Sequence, residues 1–209
     1  MTQFAQVLRQ ILAQPTCIVG VGNPLRNDDA VGALIAERLA PVMSAAGRHT
    51  VINAEDVIEN YCFSIADSAV RNVLVIDAIV GGGAEPGSVV LGRLEDLEAA
   101  DGGYSTHKLA LAATGGVLRH HGKDVWLLGI AAANTDYGTA VSQDVMAAAE
   151  AVIDLIRRTY PRDTAGYPRD TAGYPRDTAP AVSRQCLALR APRSAVITAD
   201  RVGAHSKEF

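Results

Sequence analysis

The chain has 209 residues, 48% of them hydrophobic, which is enough for one α/β domain with a core and a remainder. Its start, Met1-Thr-Gln-Phe-Ala-Gln-Val-Leu-Arg-Gln, lacks a signal peptide's basic region and apolar run, and no stretch approaches the roughly 20 apolar residues of a membrane span. Residues 1–159 hold 11 Lys/Arg against 18 Asp/Glu (−7) and residues 160–209 hold eight against five (+3), summing to −4, and so acidic a main part argues against nucleic acid as partner. The expectation is a soluble, cytoplasmic protein with no membrane partner.

In chain order, Thr16-Cys-Ile-Val-Gly-Val is a short continuous apolar run, the pattern of a strand buried on both faces. Asp28 or Asp29 can cap the following helix, whose stripe is Val31, Leu34, Ile35, Leu39 and Val42. Thr50-Val-Ile is the second strand, and Ile58, Tyr61, Cys62, Ile65 and Ala69 recur at helical spacing. Asn72-Val-Leu-Val-Ile-Asp is the third strand and Gly87-Ser-Val-Val-Leu the fourth. Ser105 can cap a helix to about His120, in which Gly115-Gly116 costs roughly 1 kcal/mol per glycine relative to alanine. Asp124-Val-Trp-Leu-Leu-Gly-Ile is the fifth strand, and Val145, Ala149, Val152, Ile153 and Ile156 stripe the last helix.

The alternation predicts a three-layer α/β/α domain over residues 1–159, with a mostly parallel five-stranded sheet. Beyond it, Tyr160-Pro-Arg-Asp-Thr-Ala-Gly recurs from Tyr167 and, ending in Pro, from Tyr174. Proline in every unit excludes a continuous helix, and one aromatic residue per unit builds no core. Residues 160–180 are therefore read as an extended linker, and residues 181–209 as a disordered tail with one β-prone piece, Ser194-Ala-Val-Ile-Thr.

Three segments carry chemistry-bearing residues. Gly20-Val-Gly-Asn-Pro-Leu-Arg-Asn-Asp-Asp joins the first strand to its helix. It is half a dinucleotide fingerprint, with Leu25 where the third glycine belongs; as a plain tight turn, it explains Asp28 and Asp29 as helix caps. Asp77 ends four apolar residues, at the strand end where open α/β sheets collect ligands, or it is a solvated loop acid. His107 stands at a helix start, where the positive macrodipole end favours neutral imidazole, the form that ligates metals. His120 and His121 lie near that helix's other end, where cations are favoured, and His49 and His205 have no suggestive company. Two carboxylates and an imidazole suit a divalent transition metal and leave coordination positions open. No serine sits on a nucleophile elbow, and Cys17, Cys62 and Cys186 are too few and scattered for a metal or disulfide framework; they are read as buried thiols.

In this order the segments resemble the nickel–iron hydrogenase maturation endopeptidases. The opening Gly-x-Gly-Asn-x-Leu-x-x-Asp-Asp/Glu is matched by Gly20, Gly22, Asn23, Leu25, Asp28 and Asp29. Asp77-Ala78, Pro86-Gly87, His107-x-Leu109, Leu128-Gly129-Ile130 and the helix start at Val141-Ser-Gln-Asp-Val complete the set, from about Thr16 to Arg158. The resemblance implies a cytoplasmic peptidase, expected to be monomeric, that trims the C-terminus of a hydrogenase large-subunit precursor. It further implies that the nickel belongs to that substrate and is contacted by Asp29, Asp77 and His107; the attacking group stays unassigned. Where many members carry Gly-Thr after the second strand, this chain reads Asn53-Ala54-Glu55-Asp56, a difference that bears on the substrate more than on the chemistry. The competing reading is a nucleotide-binding or regulatory α/β module built on the Gly20-x-Gly22 turn.

Overall fold

A computed structural model describes residues 2–43, 48–81, 83–99, 107–159 and 197–199. Strands β1 (Thr16–Val21), β2 (Thr50–Glu55), β3 (Asn72–Ile79), β4 (Val89–Arg93), β5 (Asp124–Ala131) and β6 (Ile197–Ala199) lie in the order β2-β1-β3-β5-β4-β6. The pairs β1–β2, β1–β3 and β3–β5 are parallel, while β4 runs antiparallel to β5. This is the expected mostly parallel five-stranded sheet. The short β6 adds to its β4 edge, antiparallel, from within the β-prone piece of the tail. The remaining readings of residues 160–209 fall outside the described residues.

The central strands are buried on both faces because alternate side chains feed two cores. Ile18, Leu74, Ile76, Leu128 and Ile130 face α1 (Gln3–Leu12), α2 (Val31–Met43) and α6 (Gln143–Thr159). Cys17, Val19, Val73, Val75, Val125 and Leu127 face α3 (Cys62–Ala66), α4 (Leu94–Ala99) and α5 (Lys108–His120). The three layers are therefore the expected ones. Among the described residues no helix is long and apolar enough to cross a membrane.

Two helices were not expected. α1 is capped by Thr2, whose side chain accepts from the Ala5 N–H, and it buries Phe4, Leu8, Ile11 and Leu12. Ten residues make a marginal helix alone; burial worth about 1.5–3 kcal/mol per large apolar side chain holds it. The short α4 directly follows β4 and buries Leu94 and Leu97. The stripe from Ile58 divides into a 3-10 turn, Ile58–Tyr61, and α3, rather than one helix to Ala69.

α5 runs unbroken through Gly115 and Gly116, with His107 at its N-cap position; Ser105, the expected cap, is outside the described residues. The two glycines differ. A Cβ on Gly115 would stand 2.5 Å from Leu94 Cδ2, so α4 needs a bare backbone there, whereas a Cβ on Gly116 meets nothing within 4 Å. Gly116→Ala should accordingly stabilise the domain by up to about 1 kcal/mol, the ordinary helix-propensity gain. At Gly115→Ala that gain should be cancelled or reversed by overpacking of about 1–3 kcal/mol. Chemical denaturation of both variants checks the contrast; equal stabilisation would mean that Leu94 does not pack against this helix.

Candidate active site at the sheet switch point

Going from β1, the chain next lays down β2 on one side and β3 on the other, so the strand order reverses between β1 and β3. Such a switch opens a crevice at the carboxyl ends of the strands. The β1–β3 pairing ends at Gly20↔Ile76, and the next residue of β3 is Asp77. Asp77 lies within the strand, opposite Gly129 of β5, rather than beyond the strand's end as the sequence suggested. Strand alternation puts it on the face of Val73, Val75 and Ile79, the side that α5 covers. It is fully buried, and its Oδ1 accepts from the Ala78 N–H at 2.8 Å.

Asp29 reaches the crevice because α2 lies unusually close to the sheet. A Cβ on Gly20 would strike the Gly32 carbonyl, and one on Gly32 would strike the carbonyls of Val21 and Ile76. Gly22 (φ +145°) passes directly under the Asp29 carbonyl. The motif glycines thus press backbone on backbone and bring the 3-10 turn Asn27–Ala30 over the switch point. Leu25, which stands in place of the third fingerprint glycine, is half exposed and takes no part in this packing; Gly32 fills the close-packing role instead.

The two adjacent aspartates have opposite surroundings. Asp28 was expected as a helix cap. Its buried carboxylate instead accepts from the N–H groups of Ala133, Asn134 and Ser142 and from the Ser142 hydroxyl. Asn27 supports the same loop: Oδ1 accepts from the Ala140 N–H, and Nδ2 donates to the Asp136 carbonyl. Asp29 is 2% exposed, and its Oδ2 accepts from the Asn23 N–H at 3.0 Å. Its Oδ1 is buried with no hydrogen-bond partner among the described residues. Leaving a buried acceptor unmet costs about 1–3 kcal/mol, more when it is charged, so this oxygen is available to a donor from outside the described residues.

His107 joins the two acids. Its Nδ1 lies 3.3 Å from Asp77 Oδ1 and its Nε2 4.0 Å from Asp29 Oδ2. Burial pulls the imidazole pKa down, but the Asp77 hydrogen bond and the charges of Asp77, Asp29 and Asp56 together outweigh it, so the pKa stands above its usual 6.5. The shift runs against the neutral imidazole expected from the helix start, because the nearby carboxylates outweigh a macrodipole. Each ring nitrogen faces a different acid, and no group of three His, Cys, Asp or Glu among the described residues is arranged to hold a metal ion. The three expected site residues are brought together, with His107 between the two acids.

Other groups stay out of the chemistry. Burial pushes the Cys17 thiol up to about 12 and raises that of Cys62; both are buried, as expected, and Cys186 is outside the described residues. His49 accepts the Thr16 N–H at Nδ1, a structural role for a residue with no suggestive neighbours in sequence. The place that a nucleotide phosphate would take before α2 is lined by buried Asp28 and Asp29, which argues against the nucleotide reading. Asp56, in the loop where the sequence departs from many family members, accepts from Asn23 Nδ2 at its Oδ2, beside Asp29.

A family model described as hydrogenase maturation protease (HycI) matches residues 33–159, a segment holding Asp77 and His107 but beginning after Asp29. The chain is similar in structure to the [NiFe] hydrogenase maturation protease HycI from Thermococcus kodakarensis. Identity is 29% and the TM-score 0.62, over 74% of this chain and 98% of that one. It is also similar to the endopeptidase HycI from Escherichia coli, at 23% identity and TM-score 0.58, over 68% of this chain and 89% of that one. The hydrogenase maturating endopeptidase HybD from E. coli gives 22% and 0.56, over 68% and 88%. These two more distant likenesses concern the fold. No curated protein matches the chain.

The contrast between Asp28 and Asp29 has a measurable consequence. Asp28→Ala strands three N–H groups and a hydroxyl and should cost at least about 3 kcal/mol. Asp29→Ala should stay within about 1 kcal/mol of the parent, because it gives up a single backbone hydrogen bond. Urea denaturation separates them; similar losses would show both to be structural. The raised His107 pKa sets a second test. The stability it contributes is complete below the unfolded value of 6.5 and is lost as pH climbs through the folded value. The stability difference between the parent and His107→Gln should therefore shrink as pH rises above 6.5; a difference that grows would reverse the sign.

Proposed function

The chain belongs to the hydrogenase maturation protease family, and we propose that it removes a C-terminal peptide from the precursor of a hydrogenase large subunit after nickel has been inserted. It is a peptidase; the nickel is part of the substrate, and Asp29, Asp77 and His107 are the groups that meet it. The observation that carries the reading is the bridged set itself. Two buried carboxylates share one imidazole at the switch point, and one carboxylate oxygen is unmet.

The donor chemistry suits such a visitor better than a resident ion. Two carboxylates and a histidine without a thiolate compete poorly for nickel against a thiolate-lined pocket, yet they can complete the coordination of an ion already held there. His107 would have to be neutral to ligate, so nickel would compete with a proton there, and the neighbouring carboxylates favour the proton. The buried Cys17 and Cys62 are unsuited to nucleophilic attack, which leaves the attacking group unassigned. On this reading the enzyme works in the cytoplasm as a monomer, where its precursor is assembled.

Asp29→Ala, Asp77→Ala and His107→Ala should each abolish processing, followed as a mobility shift of the precursor, while the fold is retained. Full activity in any one removes that residue from the site. With no free metal present, nickel-loaded precursor should be cleaved and nickel-free precursor left intact. Equal cleavage of the two would end the nickel reading, as would a stoichiometric nickel ion that stays with the isolated protein through exhaustive chelation.

A further inference from the structure

C-terminal to residue 159, where the family match ends, β6 (Ile197–Ala199) is the only element among the described residues. It extends a sheet whose last strand within the matched segment is β4. The two edges of that five-stranded sheet are built differently. β2 slips register between Gly20↔Asn53 and Val21↔Glu55, holds Glu55 at φ +47°, and exposes Thr50, Asn53 and Glu55. Slips and exposed polar groups keep an edge from accepting a further strand.

β4 has none of these devices. It pairs with β5 in unbroken register from Val89↔Ile130 to Arg93↔Trp126, and its sequence, Val-Val-Leu-Gly-Arg, contains no proline, lysine or acid. Val90 and Leu91 are buried. Arg93, its only charge, is committed to the neighbouring strand: the guanidinium stands 4.2 Å from the Trp126 ring centroid, and its Nη1 donates to Asp124 at 2.7 Å. Backbone groups of a strand are directed alternately to its two sides, so β5 satisfies one part of β4 and the other part faces outward. A regular, apolar edge with such a row of donors and acceptors is a template for another strand.

The tail meets this need. β6 runs antiparallel along the outer side of β4, with Val89↔Ala199, Val90↔Thr198 and Leu91↔Ile197 in register, and it neighbours α1. Three residues are too few to hold an edge from free solution, since even an isolated hairpin is marginal in water. The tether supplies what is missing. Residues 160–196, 37 in number, reach up to about 120 Å when extended, against a radius of gyration of roughly 15 Å for a domain of this size. Pairing in cis is thus unstrained and intramolecular, with an effective concentration that a second copy matches only at about the millimolar range.

We propose that the outer edge of β4 is a strand-docking surface whose occupant is this chain's own Ile197–Ala199 segment, seated in cis, and that this cover prevents edge-to-edge pairing of two copies. The surface lies two strands away from β3 and its Asp77, so it stands whether or not the chain cleaves a precursor.

Two variants of the full-length chain test it, Ile197→Pro and Thr198→Pro. Neighbouring N–H groups of a strand face opposite ways, so one of the two faces β4 and the other faces away. Proline in place of the inward one should release β6, whereas at the outward one it is tolerated, as proline is on edge strands. Amide exchange followed by NMR reads β4 directly. In the parent, the outward amides among Val89, Val90 and Leu91 should be protected. In the released variant they should exchange about tenfold faster or more, while the amides facing β5 stay protected. A peptide of residues 194–200, added at about millimolar concentration, should restore the protection. Sedimentation should show a monomeric parent and a released variant that associates as concentration rises. Unprotected outward amides in the parent, or equal protection in the parent and both variants, overturns the docking. Protection in the parent that grows with protein concentration assigns the strand to a second copy and overturns the cis seating. A released variant that stays monomeric overturns the shielding role. If both prolines unfold the domain and expose the amides facing β5, the parent's concentration series decides alone.

Discussion

Where α2 crosses β1, backbone rests on backbone: Gly20 lies against the Gly32 carbonyl, and Gly32 against the carbonyls of Val21 and Ile76. A methyl group at either position would lift the helix from the sheet. That contact decides the position of the turn ahead of the helix, and the turn decides the position of Asp28 and Asp29. It also places Gly22 beneath Asp29, which leaves the Asn23 N–H aimed at the carboxylate. A displacement of one ångström here would break the 3.0 Å bond to Asp29 and disturb the four bonds of Asp28 together. The remaining site geometry is downstream of this packing, because Asp77 is fixed by the sheet and His107 by the helix that covers it.

Within that frame, charge balance sets the state of the site. Two buried carboxylates close together are costly unless a positive charge stands between them. His107 is the group placed to supply it: its two nitrogens face separate acids, and their charges raise its pKa. Asp28 takes no part in this balance, since four donors satisfy it and it serves as a rivet between the first motif and the loop from Ala132 to Ser142. Two neighbouring residues of one chemical type therefore do different work, decided by what folds back onto them.

Much of this was legible from the sequence, for physical reasons. Strands buried on both faces appear as unbroken apolar runs, and Asp77 stood out as the acid terminating one. The helix stripes that pack on those strands follow from spacing alone. α1 was legible too: Thr2 and the Phe4, Leu8, Ile11, Leu12 stripe are local signals, but that stretch was judged only as a candidate signal peptide. The partners of Asp28 were beyond reach, since Ser142 is 114 residues away and no periodicity records the contact. The upward pull on the His107 pKa was out of reach for the same reason: the helix start is local, whereas Asp77 is 30 residues earlier and Asp29 comes from another element. Glu55 offered no warning, because its left-handed conformation arises from a register slip with β1.

The family match, the fold and the electrostatics meet at Asp29. The matched segment holds Asp77 and His107 but begins after Asp29, so the proposal of Asp29 as third member rests on where the Gly20–Gly32 contact places it. There it has one oxygen held and one unmet. A residue selected only to cap α2 would be satisfied by backbone N–H groups, as acids at helix starts usually are. On the proposed reading the substrate's metal completes the coordination of this unmet oxygen, which separates recognition from storage: among the described residues no cluster of His, Cys, Asp or Glu is arranged to retain an ion by itself.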